Sequence, residues 1–521
     1  MCIRDSCTAA ETNNFTTNAG NNALGCYFFN PFSNSLQANA ISGQTNPGFS
    51  SGAANNPDVI RWFFQQLATK QAQRLFVADA VVTGKTGITL SGGDVQWAAG
   101  VQFRNDVFES RYNGFGDRDV TPCIDTITFG NNTCPGRAGA FLFLANASGA
   151  DLDQQVYAAF AEVSVPFTDD IQLQGAIRYE DYNGRVGSTI NPKVSARWQI
   201  TPWLALRGGA GTTFRGPPLA SLNPSTGTGF SFIAGSFRAI DFTGNPNLEP
   251  ETADNYTAGF IVKTGGLRAT VDYWRFDFKK QIVAEPSGAM VATMFPGNTN
   301  VNCGNSAFAG LQARFTFQGA CGLANISRVS SFVVNGPKLK TSGIDVLVDY
   351  DFGDVMGGNF HVGASATYTL DYKLGDFQVG GVVVQKAYDA VGLLNYQLSA
   401  TPLPEVKGQA FAEYSNGPHN LRITANYTDS YHDQRADVPG AGILVPNAQT
   451  GQVNTKGSTI KSRILVDADY RVQLPWDTTV ILSVDNLFDT DPAFARLDLN
   501  YDPFTGNPYG RTFKISAKKR F

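Results

Sequence analysis

The chain has 521 residues, enough for two or three average soluble domains or for one large all-β unit. Its 40 basic and 44 acidic residues give a net charge of −4, so no broad basic surface is available and nucleic-acid binding is excluded. Charged residues reach only 16%, while Gly (54 residues) and aromatics (12%, with 38 Phe and 18 Tyr) are abundant, a mixture that favours strands and turns over helices. No window approaches about 18 consecutive apolar residues, which rules out a transmembrane helix. It does not rule out a membrane barrel, whose strands need only about 9–11 alternating residues to cross.

From the N-terminus, Met1 to Ala10 has neither a basic nor an apolar signal region, so the reading is either a cytoplasmic chain or a sequence whose true start lies elsewhere. The cysteines favour the second alternative. Cys7 with Cys26, Cys123 with Cys134, and Cys303 with Cys321 are sequence-close couples in Gly/Asn/Ser-rich stretches, expected to be loop disulfides made in an oxidising compartment, with Cys2 left free. No CxxC spacing occurs and the only histidines are His361, His419 and His432, so no zinc site or other cofactor is expected. One helix is predicted near residues 56–67, where Asn56 suits the N-cap, Pro57 the first helical position, and Ile60, Phe63, Phe64 and Leu67 form one face.

From Leu75 onward about fifteen segments alternate apolar and polar residues at period two. Leu421, Ile423, Ala425 and Tyr427 oppose Arg422, Thr424 and Asn426. Phe360, Val362, Ala364, Ala366, Tyr368 and Leu370 oppose His361, Gly363, Ser365, Thr367, Thr369 and Asp371. Connections alternate between short turns, such as Thr168 to Asp170 and Asn416 to His419, and long stretches near 111–152, 215–250, 281–338, 373–403, 433–458 and 487–508. Arg185 to Ser188 is the one short connection on the long side. Such sidedness predicts an antiparallel transmembrane β-barrel with short periplasmic turns and long extracellular loops. Counting back from a last strand at Tyr509–Phe521 puts residues 1–74 outside the cell. In that last strand Phe513, Ile515 and Ala517 are expected to face lipid, and Thr512, Lys514, Ser516 and Lys518 the lumen.

Four stretches resemble elements of TonB-dependent outer-membrane receptors. They are Phe214-Arg215-Gly216-Pro217-Pro218-Leu219, Asn245-Pro246-Asn247-Leu248-Glu249-Pro250-Glu251-Thr252, Asp485-Asn486-Leu487-Phe488-Asp489, and Tyr509-Gly510-Arg511-Thr512-Phe513 with terminal Phe521. The prolines among them stop or shape strands, so these motifs mark a fold rather than a site. The family resemblance implies a 22-stranded barrel with an N-terminal plug, of which this chain supplies about fifteen strands (75–521) after an extracellular segment (1–74), with the plug absent. It also implies no catalysis and a Gram-negative outer-membrane location in contact with outer-membrane lipid. Its partners would be the TonB complex acting through the plug, the barrel assembly machinery reading Phe521, and a small or medium nutrient ligand. That ligand would be an iron chelate, cobalamin, an oligosaccharide or a peptide.

Candidate lumen or ligand residues are Arg178, Arg197, Arg207, Arg215, Lys407 and Arg422 on strands, with Phe230, Phe232, Phe237, Tyr388 and Tyr431 in loops. A passive porin would share the alternation without needing the Asn245 to Thr252 element. A β-rich adhesin would show an internal repeat, and none is found.

Overall fold

The computed structural model describes residues 30–520 apart from 39–42, 56–66, 124–125, 127–129, 131, 134–138, 140–147, 185, 234–235, 397, 437–456 and 498. The predicted helix near 56–67, the couple Cys7 and Cys26, Cys2, Cys134 and Phe521 therefore lie outside the described residues or almost wholly so. The chain divides into two compact units, one of residues 1–70 and 111–142 and one of 71–110 and 143–521. In the smaller unit, the Asn55 side chain accepts the Asn30 amide and donates to the Asn30 carbonyl, and the Asn113 amide donates to the Ala68 carbonyl.

The larger unit is built on one antiparallel sheet. In chain order its strands begin with β1 (Thr69–Leu90), β2 (Gly93–Tyr112), β3 (Ala150–Pro166), β4 (Ile171–Tyr182), β5 (Gly187–Thr201) and β6 (Leu204–Arg215). Two loop strands, β7 (Thr226–Ile233) and β8 (Ser236–Thr243), come before β9 (Glu251–Thr264) and β10 (Leu267–Lys279). Three more loop strands, β11 (Ile282–Ala284), β12 (Phe315–Phe317) and β13 (Ile326–Asn335), precede β14 (Leu339–Val355) and β15 (Gly358–Leu374). Short loop strands β16 (Phe377–Val379), β17 (Val382–Gln385) and β18 (Tyr388–Asp389) lead to β19 (Val406–Asn416) and β20 (His419–Thr428). After β21 (Tyr431–His432) and β22 (Thr459–Ile460) the sheet ends with β23 (Arg463–Leu474), β24 (Thr478–Asp485) and β25 (Thr512–Lys519). The sheet order is β1-β2-β3-β4-β5-β6-β9-β10-β14-β15-β19-β20-β23-β24-β25, with each strand beside its sequence neighbour once loop strands are set aside.

Period-two alternation sorts the two faces. Arg197 pairs with Arg207 and Gln172, and Trp198 with Leu206 and Ile171, so polar and apolar rows run across the strands without mixing. On the apolar face Ile190, Val194, Trp198 and Leu206 are exposed, as lipid-facing residues of a barrel are. Towards the long connections that face becomes charged, where Lys279 meets Asp254 at 2.7 Å and Arg275 meets Asp277 at 2.6 Å.

The strands differ from expectation at three places, the first being β1, which begins at Thr69 rather than Leu75. The last strand begins at Thr512, not Tyr509. The Tyr509 amide is bonded to the Asn507 side chain, and Gly510 has φ 64, a left-handed conformation that ends extended pairing. In β15 the alternation breaks at Leu370. Gly343 pairs with Thr369 but Ser342 with Asp371, so Leu370 is the extra residue of a bulge. Asp371 thereby joins the Lys340 and Ser342 side of the sheet, opposite to the side that strict alternation gives it.

The long connections are folded. Strands β11, β13, β8 and β7 form a separate sheet with β12 added to β13, and β13 runs parallel to β8. With the helix Ser287–Met294 they enclose a core that includes Ile240, Met290, Met294, Phe295, Ile326 and Phe377, contributed by three different connections. Cys303 and Cys321 are disulfide-bonded within this cap, their Cα atoms 5.8 Å apart. Cys123 is also disulfide-bonded, and among the described residues no cysteine is free.

Candidate functional site: an aromatic cavity beneath the loop cap

β10 carries Trp274, Phe276 and Phe278 on alternate positions of the polar face, because their partners Thr257, Asn255 and Ala253 lie there. Successive ring centroids are 6.0 Å apart, which makes a continuous aromatic rail. Gly343 is the cross-strand partner of Trp274, and a Cβ there would overlap the indole, so glycine gives the ring its room. Tyr372 and Leu374 reach the same face because the bulge at Leu370 has reversed the side on which they point. Trp274, Phe278, Tyr372 and Leu374, with Phe377 and Leu403 from the β15–β19 connection, line a cavity of about 560 Å³.

The polar lining of this cavity centres on Arg215 and Glu251. Arg215 Nη2 donates to Glu251 Oε2 at 2.9 Å, and the same oxygen accepts the Ile282 amide at 3.0 Å. Glu251 is thus held by both β6 and the start of the β10–β14 connection. Glu249 in the same motif pairs with Lys280, while Asn335 accepts the Glu249 amide at 2.9 Å and donates to its carbonyl at 2.9 Å. The Asn245 to Thr252 element is therefore a clamp that ties two long connections together beside the cavity.

The other candidates fall into three groups. Arg178, Arg197, Arg207, Lys407 and Arg422 all share the polar face. Arg178 and Arg104 both hold Glu180, at 2.7 and 3.1 Å, and Arg207 donates to Asp272 at 2.7 Å. Arg422 meets Glu413 at 3.2 Å and stacks 3.7 Å over the Phe411 ring. Phe230, Phe232 and Phe237 belong to the β7–β8 hairpin, where Phe232 and Phe237 are backbone partners and Phe237 is exposed. Tyr388 is half-buried against Leu339, Leu374 and Ala390, and burial pushes its hydroxyl up to about 12.

Tyr431 has no open ring face. It is buried with Leu394, Ile460 and Ala495, and its hydroxyl donates to Asp502 at 2.5 Å. Burial and this carboxylate partner raise its pKa. Next to it Asp433 is fully buried between Arg435 (2.8 Å) and Arg496 (2.9 Å). Burial opposes the Asp433 charge, but the bonds from Arg435, reinforced by Arg496, hold the carboxyl below the ordinary range. This joint unites the β15–β19, β20–β23 and β24–β25 connections. Sequence reasoning missed Trp274, Phe278 and Tyr372, although the odd rhythm of large aromatics on the polar side of β10 was visible.

Residues 7–487 match the family described as TonB dependent receptor-like, beta-barrel. The chain belongs to that family. Members of this receptor family are transporters of the Gram-negative outer membrane. A probable TonB-dependent siderophore receptor PirA of Acinetobacter baumannii is 23% identical over 386 residues, covering 73% of this chain and 44% of the relative. The ferrienterobactin receptor of Escherichia coli is 27% identical over 135 residues, covering 25% and 18%. Among solved structures, a ferric enterobactin receptor of Pseudomonas aeruginosa in complex with enterobactin superposes with a TM-score of 0.56 at 16% identity, covering 86% of this chain and 54% of that one. The siderophore receptor PirA of A. baumannii superposes at 0.55 with 15% identity, covering 94% and 58%. These superpositions are likenesses of fold. The receptor chain spans about half the length of the relatives it matches.

Proposed function

We propose that this chain forms wall and extracellular cap of a receptor that captures a scarce ligand, an iron chelate or haem, and imports it to the periplasm with energy transmitted by TonB. The aromatic cavity carries this reading. Trp274 and Phe278 of the rail, joined by Tyr372 and Phe377 and by one arginine–glutamate pair, suit a ligand that has both flat apolar surface and anionic oxygens. The siderophore receptors among its relatives support the same ligand class. In this reading residues 1–74 are an extracellular segment and 75–521 the barrel portion, TonB acts through a plug domain, outer-membrane lipid surrounds the apolar face, and barrel assembly machinery reads Phe521.

The test is uptake of radiolabelled ferric enterobactin and of haem by cells whose only receptor is the complete protein carrying this chain, with TonB present or deleted. Accumulation of one ligand that requires TonB, and that falls with Trp274→Ala, supports the reading. Accumulation that ignores TonB would make the protein a passive porin.

A further inference from the structure

A second concave site lies on the same polar face, one step further from the loops. Its cavity of about 480 Å³ is lined by Lys193, Arg197, Arg207, Asn255, Thr257 and Asp272. β6 bears an arginine at each site. Arg215 reaches Glu251 in the aromatic cavity, and Arg207 reaches Asp272 in the second. The two arginines are eight residues apart, roughly 27 Å along an extended strand, with Arg207 nearer the short turns. The sites also adjoin on β10, where Asp272 lines one and Trp274, the next residue on that face, lines the other.

Charge in the second site is unbalanced. Asp272 is committed to Arg207, whereas Lys193 and Arg197 are exposed and make no ion pair among the described residues; Arg197 reaches only the Gln199 side-chain oxygen. The opposing positions on β6 are Gly211 for Lys193 and Gly209 for Ser195, so no side chain from that strand fills the groove there. Ser195, Asn255 and Thr257 add neutral hydrogen-bonding groups around the cations.

We propose that Lys193, Arg197 and Arg207 form an oxyanion-binding station on the wall, which receives the carboxylate, phosphate or similar anionic oxygens of a ligand after it leaves the aromatic cavity. The passage step rests on the import reading above; the anion site itself does not. A ligand anion takes the cations that have no acidic partner, while Asp272 keeps Arg207 oriented and makes release possible.

Two measurements test this. First, citrate is titrated calorimetrically into the 521-residue chain in detergent at low salt. Citrate binding that weakens about tenfold or more in the K193Q/R197Q double variant, is kept in K193R, and is unchanged in K518Q, which removes a charge from the same face outside the groove, supports the station. No binding, or equal binding by the double variant, overturns it whatever the receptor imports. Second, in the complete receptor the double variant should lower the maximal rate of ferric enterobactin uptake several-fold with unchanged affinity at the cell surface. Unchanged uptake overturns the passage step. Loss of surface affinity together with entry of a large antibiotic does so as well, because the groove would then seat another part of the receptor. Absence of uptake by the unaltered receptor would refute the import reading and leave the citrate result to decide the station.

Discussion

Gly343 and Trp274 are cross-strand partners on β14 and β10, and the indole occupies the space that any side chain at 343 would need. Gly343→Val should tilt Trp274 into the cavity and cost about 1–3 kcal/mol through overpacking. Ferric enterobactin affinity should fall at least about tenfold, with a shifted tryptophan emission maximum. An unshifted spectrum with unchanged affinity would mean that the ring is not confined there.

Glu251 accepts from both Arg215 and the Ile282 amide, so Glu251→Ala should release the start of the β10–β14 connection and leave Arg215 without its acid. The part-buried amide loses its acceptor at a cost of up to about 1 kcal/mol. Hydrogen exchange at Ile282 to Ala284 should quicken while β9 and β10 remain protected. Glu251→Gln keeps an acceptor and should restore most of that protection.

The disulfide Cys303–Cys321 closes a segment of sequence separation 18 within the cap. Its replacement by serines should destabilise the cap by up to about 3 kcal/mol in the chain-entropy account. The effect should be local, because Met290, Phe295 and Ile326 keep an apolar core around it. Limited proteolysis should show faster cleavage between 295 and 325 with the sheet intact.

Asp433 carries the acid response of the other joint. Its folded-state pKa is lowered, so its contribution is present above the unfolded value near 3.9 and is lost as pH falls through the lower folded value. Protection of residues 431–436 and 494–496 should therefore be flat from pH 7 to about 5 and fall below about 4. Asp433→Asn should abolish that acid step and lower stability at neutral pH by about 3–5 kcal/mol, since two buried guanidiniums lose their anion.

The wall of this receptor was legible because period two, charge on one face and alternating connection lengths all state the same thing. Arg178, Arg197, Arg207, Lys407 and Arg422 share the polar face, as their spacing indicates. The bulge at Leu370 was not legible, since an extra apolar residue prolongs an apolar row without announcing that pairing has slipped. For the same reason Tyr372 could not be assigned to the cavity. Tyr431 could not be distinguished from an exposed aromatic, because its burial depends on Leu394 and Ala495 from two other connections. The folded cap was hidden too. Its parallel pairing of β8 with β13 leaves no local signature in either segment.

That parallel pairing fixes an order of events during biogenesis. The bonds from Arg328 to Asp241 join residues 87 positions apart, whereas neighbouring wall strands are mostly joined by short turns and can pair as they emerge. Closing so long a loop carries its entropy cost before any contact repays it. The cap should therefore be completed late, after β9 and β10 have brought its two halves together, and pulse-labelled hydrogen exchange that finds β8 and β13 protected before β9 and β10 would refute this order.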